Sequence, residues 1–449
     1  MCLPQSPESF VQEIGRAGRD SLPAKAISLI LQSEVPLRHS LAHTDGISES
    51  QIKAFIALLH TKSLQELDES ASKSPPTSSY FSSTSYVDVA LHMVSTVKAL
   101  DCKEESIETL ISILEEHTYN GSPVLSLEGF LPDSAVVTLK RRTVQELSLI
   151  EPVVRCIMKC GFELDKGGEN ETVGEHSSFR AYSFGSWQFS IVRCTRLLGQ
   201  YAEPRNVFAS LRRLQASGEL ELSLDTSKSG RAMHLKLHPL AASIFGESDP
   251  SVSDSLPNLD QPTQLISSLY ARFSQQEKLC AKKVVYIYSI LHQISVSDSL
   301  TVNEVDSYEA GEVQHAGSSN NFHLLIDQYF SLTDEGKDQA FLAPPFHSKL
   351  SVDNRREVQE LTADMIMLYR EPTLSVNQLT LPFGSESNVD YTARAMAKIL
   401  HAIDAPRAPV SAWNTHPLWG KWRSYSFQEL NRVILSILET STHFSWIKF

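Results

Sequence analysis

The sequence predicts a mainly α-helical protein that carries α+β units of the winged-helix pattern. Three observations lead there. Apolar residues recur at helical spacing through most of the chain, as in Ile107, Leu110, Ile111 and Leu114. Two stretches, 124–139 and 219–237, switch to short alternating runs around Gly-containing turns. Each follows a pair of helical segments, and two helices leading into a β-hairpin is the winged-helix order.

Composition narrows the class. A chain of 449 residues allows two to four domains. With 41% hydrophobic and 21% charged residues it has the make-up of a globular protein. No stretch approaches the roughly 18 uninterrupted apolar residues of a membrane helix, so no membrane partner is expected. The start, Met1 to Ser6, has neither a basic cluster nor an apolar core, which predicts an intracellular protein. Of six cysteines only Cys156 and Cys160 are close, on one face of a helix. A zinc site wants two such pairs or added histidines, so the cysteines read as buried free thiols and no metal ligand is assigned. The net charge of −13 argues against a uniformly basic surface. Phosphate binding depends on local field rather than on the total, so the search is for patches.

Along the chain, residues 1–33 end in an apolar stretch from Ala24 to Leu31. Residues 34–69 read as a helical segment with Ile52, Phe55, Ile56 and Leu59 on one face. A Ser/Thr/Pro-rich linker occupies 70–85. Residues 86–146 form a first winged-helix-like unit: Val87, Leu91, Val94 and Val97 on one helix, Ile107 to Leu114 on the next. Strands at 124–127 and 135–139 follow, joined through Gly129 to Ser134. Residues 147–246 form a second, with helical stretches at Glu151–Cys160, Gln188–Leu198 and Asn206–Ala216 and a polar loop at 165–178. Its hairpin, Glu219–Leu224 and Met233–Leu237 around Ser227 to Gly230, is the clearest in the chain. Residues 247–390 are helical, with polar linkers at 247–261 and 297–320 and a break at Pro344-Pro345. Residues 391–449 form a basic, aromatic C-terminal domain.

The strongest chemical signal lies near the start, in the run Gln12-Glu13-Ile14-Gly15-Arg16-Ala17-Gly18-Arg19-Asp20. Two arginines three apart share one face of a helical turn. The interleaved glycines leave room for a ligand, and a guanidinium fork can bond two phosphate oxygens at once. This run resembles the last motif of superfamily-2 helicases, Q-x-x-G-R-x-G-R. Its neighbours Pro4, Ser6, Glu8-Ser9-Phe10-Val11 and Asp20 resemble the form found in RecQ-family DNA helicases. The resemblance implies that residues 1–33 are the remnant of a RecA-like α/β helicase domain. It implies that Gln12, Arg16 and Arg19 face ATP, with Arg16 and Arg19 as catalytic arginines on the γ-phosphate. Ser21 departs from the family's usual glycine.

The sequence contains no G-x-x-x-x-G-K-[ST] loop and no Asp-Glu-x-His box; Gly336-Lys337 and Gly420-Lys421 stand in the wrong context. ATP and Mg²⁺ therefore belong to the full-length family, and this chain alone is expected to bind neither. The four-cysteine zinc module usual after a RecQ motor is also missing from the sequence. His39, His43 and His60 fall in that region, but no cysteine lies between Cys2 and Cys102, so they read as exposed or core histidines. The segment Pro36 to Gly46 and the run from Tyr391 to Trp422 resemble the subgroup without that module, including a plant-type group.

Candidate DNA contacts come from the winged-helix units. Arg205, Arg212 and Arg213 lie on or beside the second unit's last helix, Lys228 and Arg231 flank its hairpin tip, and Lys140-Arg141-Arg142 closes the first hairpin. A solvated helix face with a polar turn is the plainer alternative. The C-terminal stretch from Tyr391 holds seven Lys or Arg against three Asp or Glu, and four of the five tryptophans. Aromatics among cations suit base stacking. A small domain also needs them for its core, so Trp413 and Trp419 read as buried. Arg394, Lys398, Lys421 and Arg423 remain as backbone contacts. The resemblance implies ATP-driven 3′-to-5′ unwinding of forked or partly single-stranded DNA, in the nucleus, with repair or replication proteins as partners. Two other readings stay open: a motorless DNA-binding adaptor, and a protein-interaction scaffold.

Overall fold

A computed structural model describes residues 3–17, 19, 28, 30, 31, 33–71, 86–119, 122–164, 185–199, 202–238, 261–294, 316–331, 350, 355–370 and 389–440. It is mostly helical with small antiparallel sheets. Two compact units are present, residues 1–52 with 266–449, and residues 53–265. The expected linkers at 70–85, 247–261 and 297–320 and the polar loop at 165–178 lie largely outside the described residues, as do Pro344-Pro345, Trp446 and Lys448.

The first unit holds α1 (Pro7–Ile14), α2 (Glu34–Leu41) and the start of α3 (Glu49–Ala71). It also holds most of α10 (Gln261–Ile294), α11 (Ala316–Ser331), α12 (Arg355–Arg370), α13 (Val389–Leu400), α14 (Val410–Trp413) and α15 (Phe427–Thr440). Leu3 and Phe10 pack with Val35, Val284, Ile287 and Tyr329 in one core. Phe427, Leu430, Val433, Ile434, Ile437 and Leu438 bury one side of α15, the i, i+3, i+4, i+7 set of an amphipathic helix. Trp413 and Trp422 are buried as well, while Trp419 is half-buried.

The second unit contains the sheets. Its elements run β1 (Val87–His92), α4 (Met93–Leu100), α5 (Glu104–Glu115), β2 (Thr118–Tyr119), β3 (Ser122–Pro123), β4 (Leu125–Pro132) and β5 (Ser134–Leu139). Then come α6 (Val144–Ile150), α7 (Pro152–Cys160), β6 (Phe162–Leu164), β7 (Ser186–Ser190), α8 (Ile191–Leu198), α9 (Pro204–Ala216), β8 (Leu220–Leu224) and β9 (Arg231–Leu237). The larger sheets have the orders β1-β9-β4 and β6-β7-β5-β8. Val137, Leu147, Val153, Ile157, Phe189, Cys194, Val207 and Leu211 share the core beneath the second. Cys102, Cys156 and Cys194 are buried free thiols.

Three expectations are corrected here. Val87 to Leu91 is a strand, not a helix: its burial alternates strictly along β1, and a spacing of four fits either period. Likewise residues 186–190 form β7, and the helix begins only at Ile191. Neither expected hairpin closes on itself. β4 runs through Asp133 into β5, and the two strands join different sheets; β8 pairs with β5, and β9 pairs with β4 and β1. A turn signal specifies a reversal of the chain but not its partner, and two long ribbons crossing between sheets satisfy the same alternation. Asp133 holds the crossing: buried, it accepts hydrogen bonds from Ser190 Oγ and Val192 N, both at 2.8 Å.

Candidate nucleic-acid interface

Helix α9 starts cleanly because Pro204 at its first position has φ preset, and Glu203 and Asn206 form a reciprocal cap. Val207, Leu211 and Leu214 turn inward. The opposite face carries Arg205, Arg212 and Arg213, all exposed as the periodicity predicts. The helix ends at Ala216, capped by Ser217, and Gly218 just beyond has a φ of +74°, a left-handed conformation that suits glycine.

At that end the tertiary structure adds what sequence order separates. Arg141 Nη1 donates to Ser217 O at 3.1 Å, satisfying a terminal carbonyl of the helix. Lys140, Arg141 and Arg142, assigned by sequence to another unit than α9, therefore stand at its C-terminal end. Lys140 pairs with Glu221 at 2.7 Å and Arg142 with Glu219 at 3.4 Å. Arg213 pairs with Glu151 and Arg205 with Glu203, both at 2.6 Å. Arg205 and Arg213 nevertheless stay 79% and 65% exposed. Ion pairs this wet contribute little and exchange with solvent, so they leave the cations available to a polyanion. Arg212 has no ion-pair partner among the described residues. Lys228 and Arg231, also exposed, border a different cavity beside Phe130. The sequence reading left Phe130 in the turn from Gly129 to Ser134, whereas the structure places it inside β4.

The C-terminal cations behave otherwise, and two expectations fail. Arg394 and Lys398 are only 8% and 3% exposed, because α13 is enclosed along nearly its whole length. Arg394 Nη2 donates to Glu277 Oε1 and to His43 O, both at 3.0 Å, and its guanidinium lies over the Phe427 ring. His43 Nδ1 bonds the same Glu277 oxygen. Burial pushes the Glu277 pKa up, but Arg394 and His43 outweigh it and hold the carboxyl at about 2. A guanidinium committed to a buried carboxylate is not on offer to a phosphate. Beside this knot His401 Nδ1 bonds Ser40 Oγ at 2.7 Å. Burial, then neighbouring positive groups, hold His39 and His401 down to about 3. His39 and His43 are thus core histidines, while His60 is half-buried.

Lys421 is more open, yet it pairs with Asp364 at 2.8 Å and Glu360 at 2.9 Å. Burial lowers its pKa, but these two acids outweigh that and raise it. Asp364 also accepts from Trp422 Nε1 at 2.8 Å. Arg423 is half-buried, with Nε 3.4 Å from His401 O.

In the first unit the helicase-like motif occupies α1 and the turn after it. Ser6 caps the helix by accepting from Ser9 N at 3.1 Å. Glu8 reaches Lys283 Nζ at 3.0 Å and Tyr329 OH at 2.8 Å, which anchors α1 to α10 and α11. Burial would raise the Glu8 pKa, but these hydrogen bonds, with backbone and Ser6 contacts, bring it to about 2. Gln12, Arg16 and Arg19 are exposed, and neither guanidinium meets an acceptor among the described residues.

No family model matches the chain. It is similar in part to two curated proteins. One is the mouse ATP-dependent DNA helicase Q4, 34% identical over 129 residues, which are 26% of this chain and 10% of the helicase. The other is the Bacillus subtilis (strain 168) probable ATP-dependent DNA helicase RecS, 36% identical over 67 residues, which are 15% of this chain and 13% of that protein. The chain thus spans little more than a tenth of either relative. These likenesses support a RecQ-like helicase relationship.

Proposed function

We propose that this chain is the C-terminal portion of a RecQ-like 3′-to-5′ DNA helicase, from the subgroup without the four-cysteine zinc module. It contributes the arginine-finger motif and the DNA-binding modules for unwinding in repair or recombination, and it acts in the nucleus on forked or partly single-stranded DNA. Gln12, Arg16 and Arg19 serve ATP only together with a motor domain, and the chain by itself neither hydrolyses ATP nor unwinds DNA. Residues 1–33 are the RecA-like remnant on this reading. The sheet orders β1-β9-β4 and β6-β7-β5-β8, each with a pair of helices ahead of an outer strand, support two winged-helix-like units that exchange strands.

One observation carries the DNA-binding part: Arg205, Arg212 and Arg213 on α9 stand exposed, with Lys140 to Arg142 at the helix end. Cations held on a rigid helix and its flanking strand suit a phosphate backbone. The test is binding of the purified chain to forked DNA over a range of salt. A steep loss of affinity with salt is expected, and no binding at low salt would overturn the reading. DNA-stimulated ATP hydrolysis above background would overturn the claim of inactivity. A second reading, a protein-interaction scaffold, is favoured by Leu149 and Ile150, which stand exposed side by side at the end of α6. It predicts the opposite salt experiment, with no DNA bound.

A further inference from the structure

In the second unit a cavity of about 320 Å³ lies between the start of α5 and the junction of β4 with β9. Phe130 forms one wall and is 42% exposed. Its aim has a backbone cause. The pairing of β4 with β9 shifts register between Leu127 and Gly129, and Gly129 adopts φ +138°, a conformation that suits glycine. A bulge of this kind re-aims the side chain that follows it.

Charges of both signs face the cavity. Glu104 and Glu108 come from one face of α5, four residues apart; Lys228 and Arg231 come from the loop between β8 and β9 and from the start of β9. None of the four has an ion-pair partner among the described residues. The loop is held by its own hydrogen bonds, Ser227 N to Asp225 Oδ1 at 3.0 Å and Gly230 N to Ser227 Oγ at 3.4 Å. Arg231 lies over the Phe130 ring, 5.1 Å from its centre. Opposite charges are thus kept apart across a space with an aromatic floor.

We propose that this cavity receives one unstacked, amino-bearing nucleobase of single-stranded DNA. The proposal rests on the DNA-binding reading above. The base stacks on Phe130, Arg231 and Lys228 pair with its phosphate, and Glu104 and Glu108 accept hydrogen bonds from its amino group. The volume sits at the small end of ligand pockets, which run from about 300 to 1,000 Å³, and suits one base rather than two. Cytosine, adenine and guanine carry such a donor and thymine does not, so the carboxylates discriminate against thymine.

The test compares fluorescein-labelled oligo(dC) and oligo(dT), with a blunt duplex as control, on the full chain. Wild type should bind oligo(dC) more tightly than oligo(dT), and Glu104→Gln with Glu108→Gln should erase most of that difference. Phe130→Ala should weaken both oligonucleotides about tenfold while leaving the duplex unchanged, and Phe130→Trp should restore binding. Equal binding of both oligonucleotides by wild type and Phe130→Ala, with duplex binding intact, would overturn the proposal and leave the DNA-binding reading standing. Failure of wild type to bind any DNA would overturn both.

Discussion

Helix α9 and helix α13 carry the same kind of residue and use it in opposite ways. On α9 the arginines point to water and their acidic partners are exposed or half-buried. On α13 Arg394 and Lys398 are enclosed, and Arg394 meets a carboxylate that is itself only 10% exposed. A cation in water keeps its charge for a passing ligand; a cation in the core is held by its partner and holds the fold in turn. Basic composition alone therefore does not locate a phosphate-binding surface. Local burial does.

This contrast can be broken by experiment, first where the effect is largest. Arg394→Met should destabilise the chain by about 3–5 kcal/mol, because it leaves Glu277 buried without its guanidinium. Urea unfolding measures it, and a loss below about 1 kcal/mol would show the knot to be wetter than its geometry. Acid should attack the same region. His39 and His401 have folded pKa values of about 3, below the usual 6.5, so the unfolded chain takes up protons first as pH falls. Stability should be fullest above pH 6.5 and decline toward pH 3, by at most about 1.4 kcal/mol per pH unit for each ring. His401→Gln should flatten that decline, and an unchanged profile would remove His401 from the account. Glu277, held at about 2, adds a later loss beginning below its unfolded value of 4.5.

On α9 the expected effects on stability are small and those on binding are selective. Arg212→Ala should alter unfolding by less than about 0.5 kcal/mol. It should also make the salt dependence of forked-DNA binding shallower by about one unit of slope. Parallel salt curves for variant and wild type would remove Arg212 from the interface. Smallest in its effect on binding, Glu151→Gln frees Arg213. Stability should change by less than about 1 kcal/mol while DNA affinity rises slightly, and a fall in affinity would show that the pair positions Arg213 rather than screening it.

Much of the second unit was legible residue by residue. The apolar set of α5, the two-faced pattern of α9 and the alternation of β5 and β8 stand where their periods place them, whereas β9, central between β1 and β4, is buried on both faces. What could not be read was partnership. Ser227 to Gly230 marks a reversal, yet β8 and β9 go to different sheets. In the first unit nothing in the run around Tyr391 distinguishes the enclosed Arg394 from the half-buried Arg423. The cavity under Phe130 was equally hidden, since its walls come from α5, β4 and the loop before β9.

By itself the sequence determined most of the helices, the strands β5 and β8 and the outward cations of α9. These depend on bonds within a few residues and on a period that repeats inside one element. The tertiary structure alone decided that Lys140 to Arg142 meet the end of α9, that β4–β5 and β8–β9 cross between sheets, and that Arg394 is bound to Glu277. Those outcomes depend on which surfaces exclude water together, and residues 76 or more positions apart set them.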